Sequence, residues 1–485
     1  MDQDPDDITY TAEETNEGEI SKTDDLQGLS QEERRMASEH MPSLIIKSGI
    51  PTFLSIAATS LYNVIDRFWV GRIEDVGADA LAGIGITLPL MNVIVALSML
   101  IGFGATARIS ISLGARDVDR AERILGNALV LILIISAFVS VFGTIYAAPL
   151  LRLVGATDTI MPFAYDYFTI IAFGSVFSFV AFAMSHPIRG LGNAKYFAVT
   201  QVSGAVINMM LTPITIFVMG WGISGVAWST VMSQAISCVL VFGYYFSKNS
   251  RLKIRRRNLR IDPKIALAIT SIGVAPFVIQ FAGSAIMAFS NSLLVAYGAR
   301  DLGNEDIAVS AMAVIFGLYI MAFTPVIGMN QGAQPIIGFN YGAKNYTRMR
   351  DALKWVLIYS FAVMSVVCVL VMIFAPQMIS MFNPDPELVS VGTTGLRIFF
   401  SSSVAIGLLI PMTTFFTSIG RAKMSIFLST LRQVFMLLPM YNILPIFFGI
   451  WGVFMAVPVS DFISMLIIPI FVIREFRLLK VELNR

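Results

Sequence analysis

Long apolar runs separated by short polar segments dominate the sequence from residue 43 onward. The runs reach the roughly 20 residues that an α-helix needs to cross the hydrocarbon core of a bilayer. The polar breaks between them carry charges, Gly and Pro, which is typical of helix ends and turns. Cutting the chain at these breaks predicts twelve membrane-spanning helices. They lie near residues 43–71, 79–111, 122–147, 162–188, 195–219, 222–247, 264–297, 306–340, 350–374, 387–418, 423–448 and 450–475.

Composition agrees with this pattern and restricts the class of protein. Of the 485 residues, 56% are hydrophobic and only 14% are charged, and the mean hydropathy is +0.74. A soluble domain carries roughly 25% charged residues, so we expect an all-α integral membrane protein. Continuous apolar runs of this length differ from the alternating pattern of a transmembrane barrel, which excludes that class.

Cationic residues are concentrated in every second connection between the predicted helices, and the other connections are short or acidic. The positive-inside rule therefore places both termini and the basic connections in the cytoplasm, with the helices in the cell membrane. We interpret the basic residues as orientation signals and expect no nucleic-acid partner. They are Arg116, Arg120, Arg123, Arg189, Lys195, the run from Lys248 to Lys264, Lys344, Arg348, Arg350, Arg421 and Lys423.

The same features divide the chain into five parts. The first 40 residues are rich in Asp, Glu, Ser and Thr, which is typical of a disordered tail and excludes a signal peptide. We expect an acidic disordered cytoplasmic tail, a first six-helix bundle, a basic cytoplasmic linker, a second six-helix bundle and a cytoplasmic C-terminal tail. These parts span residues 1–42, 43–247, 248–263, 264–475 and 476–485.

An internal repeat relates the two predicted bundles. Gly114-Ala115-Arg116 aligns with Gly342-Ala343-Lys344, and at the same offset Gly192-Asn-Ala-Lys195 aligns with Gly420-Arg-Ala-Lys423. An offset one residue shorter aligns Gly222 with Gly449. Each repeat holds six helices, an even number, so both halves have the same orientation. We expect two pseudo-symmetric bundles that face each other across a cavity.

Asp66 is the one carboxylate within the first span, in the far third of Ser43–Arg72. An ionised Asp in hydrocarbon costs about 2.5 to 3.5 kcal/mol, so we interpret Asp66 as the cation handle of a transporter. Asn208 and Thr212 lie four residues apart on one face of helix five, and Thr230 on helix six reaches a similar depth. Their oxygens suit sodium, and a lone carboxylate can instead carry a proton. Alternatively, the three polar residues only bond neighbouring helices or their own backbone.

Arg432 in helix eleven and Asp461 in helix twelve form a second candidate cluster, since they have opposite charge and comparable depth. Pairs of this kind inside a membrane usually neutralise each other. We therefore predict a structural salt bridge, with a proton relay as the alternative.

Aromatic, Met and polar residues within the spans are candidates for lining a substrate cavity, although most such residues pack in the core or face lipid. Soft, polarisable surfaces accept varied apolar cations through packing and cation–π contacts. The candidates are Tyr62, Gln280, Met287, Asn291 and Gln331.

Enzyme and pump functions find no support in the motifs. The chain has two His and two Cys, too few ligands for a zinc or iron centre. No GxxxxGK[ST] phosphate loop occurs, so uphill transport requires an ion gradient. We expect a monomeric transporter that is not an enzyme, with no cofactor other than a coupling sodium ion or proton.

Several segments resemble the multidrug and toxic compound extrusion (MATE) transporters over nearly all of residues 43–475. The helix-eight segment is the most specific of them, and with the helix-one segment it resembles the bacterial and archaeal branch related to DinF and MepA. The segments are YNVIDRFWVG, SLGARD, RGLGNAK, GMNQGAQPIIGFNYGAK and LRQVF.

The resemblance implies a V-shaped pair of bundles that exports cationic, amphipathic compounds in exchange for sodium or protons. It also implies a cation site made of a helix-one Asp, a helix-five Asn and Asp, and a helix-six Thr, at positions Asp66, Asn208, Thr212 and Thr230. Thr212 departs from this pattern, because the usual NxxxDP has Asp before Pro213. Asp66, Asn208 and Thr230 then remain as sodium ligands.

A flippase for a lipid-linked oligosaccharide or another amphipathic lipid is the alternative function within transport, since such relatives share the architecture. A flippase of this kind requires a cavity ringed by several Arg or Lys, and the predicted spans contain few. The residues therefore favour the exporter.

Overall fold

The computed structural model describes residues 28–73, 76–248 and 250–483, except for the side chains of 305 and 480–483, and contains no β-strand in these ranges. Short π-helical segments, Ile214–Val218 and Leu431–Leu437, extend two of the α-helices. The α-helices are α1 Gln31–Ser38, α2 Met41–Val70, α3 Gly77–Gly114, α4 Val118–Ile145, α5 Ala147–Leu153, α6 Met161–Gly190, α7 Ala194–Pro213, α8 Gly222–Phe246, α9 Pro263–Asp301, α10 Glu305–Gly342, α11 Tyr346–Ser380, α12 Pro386–Phe400, α13 Ser403–Ser418, α14 Ala422–Thr430, α15 Leu438–Phe448 and α16 Ile450–Leu483.

The described elements supply eleven candidate spans, or twelve when one bent pair of helices is taken as a span, which confirms the predicted all-helical membrane fold. Eleven helices of the described chain are long and apolar enough to cross a membrane by themselves. The twelfth span is the pair α12 and α13, which is bent by 42°. The apolar run over 387–418 predicts one continuous helix, but the helix is broken between Phe400 and Ser403. Three consecutive serines, at 401–403, lie at this break and are the polar signal for it in the sequence.

The internal repeat recurs in the backbone. Arg116 follows α3 with φ 60° and Lys344 follows α10 with φ 55°. Positive φ is uncommon for residues other than glycine, so its occurrence at two aligned positions indicates the same turn in both halves. The aligned glycines Gly192 and Gly420, and Gly222 and Gly449, share positive φ as well.

Two aligned glycines also allow a close approach of the halves, where α3 crosses α10. A Cβ atom on Gly114 would lie 1.9 Å from the carbonyl oxygen of Phe339, and one on Gly342 would lie 2.0 Å from that of Ile111. The two helices therefore meet backbone to backbone, at the end of the molecule where the basic connections begin. Only glycine fits there.

Gly342→Ala is expected to destabilise the protein by about 1–3 kcal/mol, because the added methyl group meets backbone atoms that cannot rotate away. Gly317→Ala on the same helix is the matched control, since a Cβ there has no atom within 4 Å. Gly317→Ala should instead stabilise α10 by about 0.5–1 kcal/mol, because alanine favours a helix more than glycine does. Thermal unfolding of the two variants in detergent checks the difference. Equal melting temperatures would show that the crossing is not tight.

The N-terminal tail predicted for residues 1–42 is partly wrong, because residues 31–38 form α1. Ser30 and Glu33 form a capping box, with the Ser30 backbone N–H 2.6 Å from a Glu33 carboxylate oxygen. Met36 is 1% exposed and anchors the helix. Acidic composition was a poor guide here, since the partners of these charges lie elsewhere in the chain. Residues 1–27 of the predicted tail lie outside the described residues.

α1 contacts both halves of the protein. On the second half, Asn340 and Arg348 donate hydrogen bonds to the Met36 carbonyl oxygen at 3.2 and 3.0 Å. On the first half, a Cβ on Gly192 would lie 3.1 Å from the end of the Met36 side chain. Glu33 also faces Arg251 of the basic linker at 3.6 Å. The helix therefore joins elements from both bundles at the basic end.

Glu39 fixes the junction between α1 and α2. Lys47 and Arg35 both form ion pairs with its carboxylate. Partial burial raises the pKa of Glu39, but the hydrogen bonds from Lys47 and Arg35 outweigh burial, so the pKa lies below its usual value. The pair of cations thus keeps this carboxylate ionised. At the other end of the chain, α16 continues to Leu483, so the predicted C-terminal tail is helical over 476–483.

Candidate cation site

The structure brings Asp66, Asn208, Thr212 and Thr230 into one cluster within the first bundle. They come from α2, α7 and α8, three helices that contact one another. Asp66 is 8% exposed, and the Thr212 hydroxyl donates a hydrogen bond of 2.8 Å to its Oδ1. Similar depth in the membrane therefore corresponds to direct contact in space.

Asn208 contacts both oxygens of the Asp66 carboxylate. In the amide orientation that pairs both of its ends, the nitrogen donates to Oδ1 at 3.0 Å and to Oδ2 at 3.1 Å, while the oxygen accepts from the Thr230 hydroxyl at 3.3 Å. The opposite amide orientation would set its oxygen against the carboxylate oxygens, which only a proton or a bound cation between them can stabilise. One amide orientation therefore stabilises an ionised, empty carboxylate, and the other suits a carboxylate that holds a proton or a cation.

Ser229 belongs to the cluster and is absent from the sequence-based candidates. Its hydroxyl oxygen lies 3.0 Å from that of Thr212, and the residue is fully buried. Adjacent residues on a helix point about 100° apart, so spacing alone does not decide whether Ser229 or Thr230 faces Asp66. The structure shows that both reach the cluster, one through Thr212 and the other through Asn208.

The end of α7 is held against α8 by backbone contacts. Pro213 removes a helical hydrogen bond directly after Thr212, and the chain continues as the π-helical segment Ile214–Val218. The Thr215 hydroxyl donates to the Gly225 carbonyl oxygen at 2.9 Å, and a Cβ on Gly225 would lie 2.9 Å from the Thr215 backbone. This close packing fixes Thr212 relative to the polar residues of α8.

The cluster has the chemistry of a site for a hard cation. Its candidate ligand atoms are the oxygens of one carboxylate, one amide and three hydroxyls. Oxygen ligands of this kind suit hard cations such as sodium, whereas soft metals prefer sulfur ligands. Within the described part of the chain, no Lys, Arg or His forms an ion pair with Asp66. The charge of an ionised Asp66 is therefore balanced only by hydrogen bonds, so the residues fit a sodium ion or a proton.

Thr212 gives the cluster one negative charge, whereas the carboxylate pair that the resemblance implies would give it two. Two ionised carboxylates at this distance would repel each other, whereas the Thr212 hydroxyl donates to Asp66. The hydroxyl also contacts the Asn208 carbonyl oxygen at 3.0 Å. It can turn to that acceptor and leave its lone pairs facing a cation.

Arg432 and Asp461 lie in contact in the second bundle. Arg432 Nε is 2.8 Å from Asp461 Oδ1, and the Ser402 hydroxyl donates to Oδ2 at 2.9 Å. Asp461 is 1% exposed. Arg432 lies in the π-helical segment Leu431–Leu437, and Ser402 lies at the break between α12 and α13. Both oxygens of this carboxylate are occupied, and both irregular segments meet at it.

The five candidates for the substrate cavity lie on three helices, α2, α9 and α10. Gln331 lines a cavity between the bundles, with a volume of ≈ 120 Å³, whereas the other four do not line it among the described residues. Gln280 instead contacts Asn92 of the first half at 3.4 Å. Tyr62 and Met287 lie on α2 and α9, and Met287 is 47% exposed. The fifth, Asn291, also lies on α9.

Arg189 is an exception to the interpretation of the basic residues as signals for the orientation of the protein in the membrane. It lies in the last turn of α6 and is fully buried. Its guanidinium donates to Gln331 Oε1 at 2.5 Å, across the boundary between the halves. A charge at a helix end looks like a loop residue in the sequence, because nothing local shows that the side chain turns inward.

Comparison with known proteins finds the MatE family model on residues 51–214 and 276–441, together more than half of the chain. The two matched stretches fall in the two halves of the internal repeat. Among curated proteins, "Multidrug export protein MepA" of Staphylococcus haemolyticus is 23% identical over 425 residues, which are 87% of this chain and 91% of that protein.

Other relatives agree on the architecture. The "FAD transporter" of Shewanella oneidensis is 24% identical over 423 residues, which cover 86% of this chain and 91% of that protein. A solved structure described as the outward-facing conformation of a MATE family multidrug resistance transporter superposes with a TM-score of 0.86 at 21% identity. It covers 93% of this chain and 99% of its own. The shared fold is therefore that of whole transporters.

Proposed function

This chain belongs to the MatE family, and on that premise we propose that it is a secondary active exporter of amphipathic organic compounds, cationic ones among them. It moves these compounds out of the cell by alternating access, in exchange for sodium ions or protons. The multidrug export protein that resembles it over most of its length supports export as the direction.

The observation that carries this proposal is the Asp66 cluster. A buried carboxylate that no described cationic side chain neutralises can bind an external cation, and its three helices move with that occupancy. Pro51 interrupts the hydrogen bonding of α2, and Pro213 does so in α7. Both prolines are places where the helices can bend. Coupling requires that the cation and the exported compound favour different states.

The basic connections support the orientation in the cell membrane, with the ends of the chain in the cytoplasm. In this orientation Asp66 lies in the outer half of α2, close to the side from which sodium or protons enter. The cation thus reaches its site from outside while the exported compound arrives from inside.

Efflux from vesicles under separate gradients tests the proposal. The purified protein is reconstituted into liposomes loaded with the fluorescent cation rhodamine 123, and a sodium gradient or a pH gradient is imposed alone. One gradient should accelerate efflux over that from protein-free liposomes, and thereby identify the coupling ion. Equal efflux with and without both gradients would contradict antiport.

A further inference from the structure

The cavity between the bundles has a polar floor made by residues of α10 and α13. Its volume of ≈ 120 Å³ is about four times the ~30 Å³ of a water molecule, enough for a carboxylate or phosphate group. Asn330, Gln331 and Gln334 line it together with Thr413, Thr414 and the ring of Phe103. Its lining residues include no Asp or Glu.

A buried cation lies directly behind this floor. The Arg189 guanidinium is 0% exposed and donates to Gln331 Oε1 at 2.5 Å and to Gln334 Oε1 at 3.4 Å. The rings of Phe103 and Phe197 flank it at 5.4 and 5.1 Å. Among the described residues no carboxylate pairs with it, and its Nε has no hydrogen-bond partner. Its positive charge is therefore not neutralised.

This cation fixes which end of each glutamine amide is free. Arginine has five N–H donors and no acceptor, so the glutamine oxygens must face it. The amide nitrogens of Gln331 and Gln334 then point away from the guanidinium, and both residues line the cavity. Gln334 is 4% exposed, and its nitrogen donates to no partner within the described chain. The floor thus offers N–H donors backed by a positive charge.

We infer that this floor binds an anionic oxygen group, such as a carboxylate, phosphate or sulfonate, on the transported compound. An unpaired buried charge is stabilised most by an opposite charge, and hydrogen bonds to an ionised acceptor are the strong ones. The inference rests on the proposed export function and specifies one chemical group of the exported compounds. They include zwitterions, in which a cationic ring system carries an acidic group, as well as organic anions.

Two dyes that differ by one methyl group test the inference. Rhodamine 110 carries a free carboxylate, and rhodamine 123 is its methyl ester, so only the first offers an anionic group. Equilibrium dialysis against the purified protein in detergent should give on the order of tenfold tighter binding of rhodamine 110, the gain from a hydrogen bond to a charged acceptor. Equal affinity, or tighter binding of the ester, would overturn the inference.

Gln331→Glu localises the effect, because it keeps the side-chain shape, removes the N–H donors of Gln331 and places a negative charge beside Arg189. The preference for rhodamine 110 should disappear in this variant. Gln201→Glu is the control, since it adds the same charge on α7, where Gln201 bonds Ser185 and does not line the cavity. Its preference should stay that of the unchanged protein, and a loss in both variants would overturn the assignment to the floor.

Binding in detergent needs no ion gradient, so its result is independent of the coupling mechanism. A clear preference for rhodamine 110 without gradient-driven efflux would uphold the anion site and contradict the proposed antiport. The reverse result would uphold antiport and overturn the anion site. Rhodamine 110 and a phosphate-bearing dye, compared as competitors, distinguish a carboxylate from a phosphate as the preferred group.

Discussion

Asp66→Asn is expected to reduce gradient-driven efflux to the level of protein-free liposomes. The substitution removes the charge that holds a sodium ion and the group that carries a proton, while the amide keeps nearly the same volume. Because the new amide can still accept from Thr212, whose hydroxyl lies 2.8 Å away, the helices should stay packed. The melting temperature should remain equal or rise, since a buried charge without a cationic partner is unfavourable to folding.

Asp158→Asn provides the matched control for this experiment. The Asp158 side chain is 94% exposed and lies 3.4 Å from an exposed Arg152, so its removal should leave efflux unchanged. Full efflux by Asp66→Asn under the gradient that drives the unchanged protein would contradict the proposed coupling site. A loss of efflux together with a large fall in melting temperature would show a structural role instead.

Asp461→Asn is expected to lower the yield of folded protein more than it lowers efflux per folded molecule. The substitution leaves Arg432, whose side chain is 19% exposed, without a counter-charge. Breaking a fully buried pair costs about 3–5 kcal/mol, which is the upper limit here. Fluorescence-detected size exclusion measures the yield, and efflux normalised to folded protein measures activity. Normal yield with lost efflux would instead favour the alternative of a proton relay.

The double variant Arg432→Leu with Asp461→Leu distinguishes the loss of the whole ion pair from the loss of one partner. Replacing both members of a buried ion pair by apolar residues is often neutral or stabilising, whereas removing one is destabilising. Yield should therefore recover substantially in the double variant compared with Asp461→Asn. Ser402 loses its acceptor only in the double variant, because the amide oxygen of Asp461→Asn can still accept from it. A recovery of yield therefore understates the effect of removing both charges.

The sequence predicted those features that hydrophobicity and membrane depth determine. Apolar runs of bilayer length predicted the spans because lipid requires every backbone hydrogen bond to be made within the helix. Membrane depth along α2, α7 and α8 grouped Asp66 with Asn208, Thr212 and Thr230. Polar side chains that lie at one depth and face the interior of a small bundle are close to one another.

Features that depend on rotation about a helix or on distant partners were not predictable. Ser229 joins the cluster through its direction around α8, and Arg189 is buried because its side chain turns toward α10. The break between α12 and α13 is marked only by the three serines at 401–403, which are too few to end a span by themselves. α1 is held in place by Asn340 and Arg348, which both donate to its Met36 carbonyl oxygen, although its own composition indicates disorder.

α1 has a practical consequence for any study of this transporter. An acidic leader without apolar runs is a natural segment to delete when a membrane protein is prepared for expression. Removing it up to Pro42 would strip Asn340 and Arg348 of the Met36 carbonyl oxygen that both bond. It would also remove the Met36 side chain that packs against Gly192. Shortened versions should therefore begin before Ser30, where the cap of the helix starts.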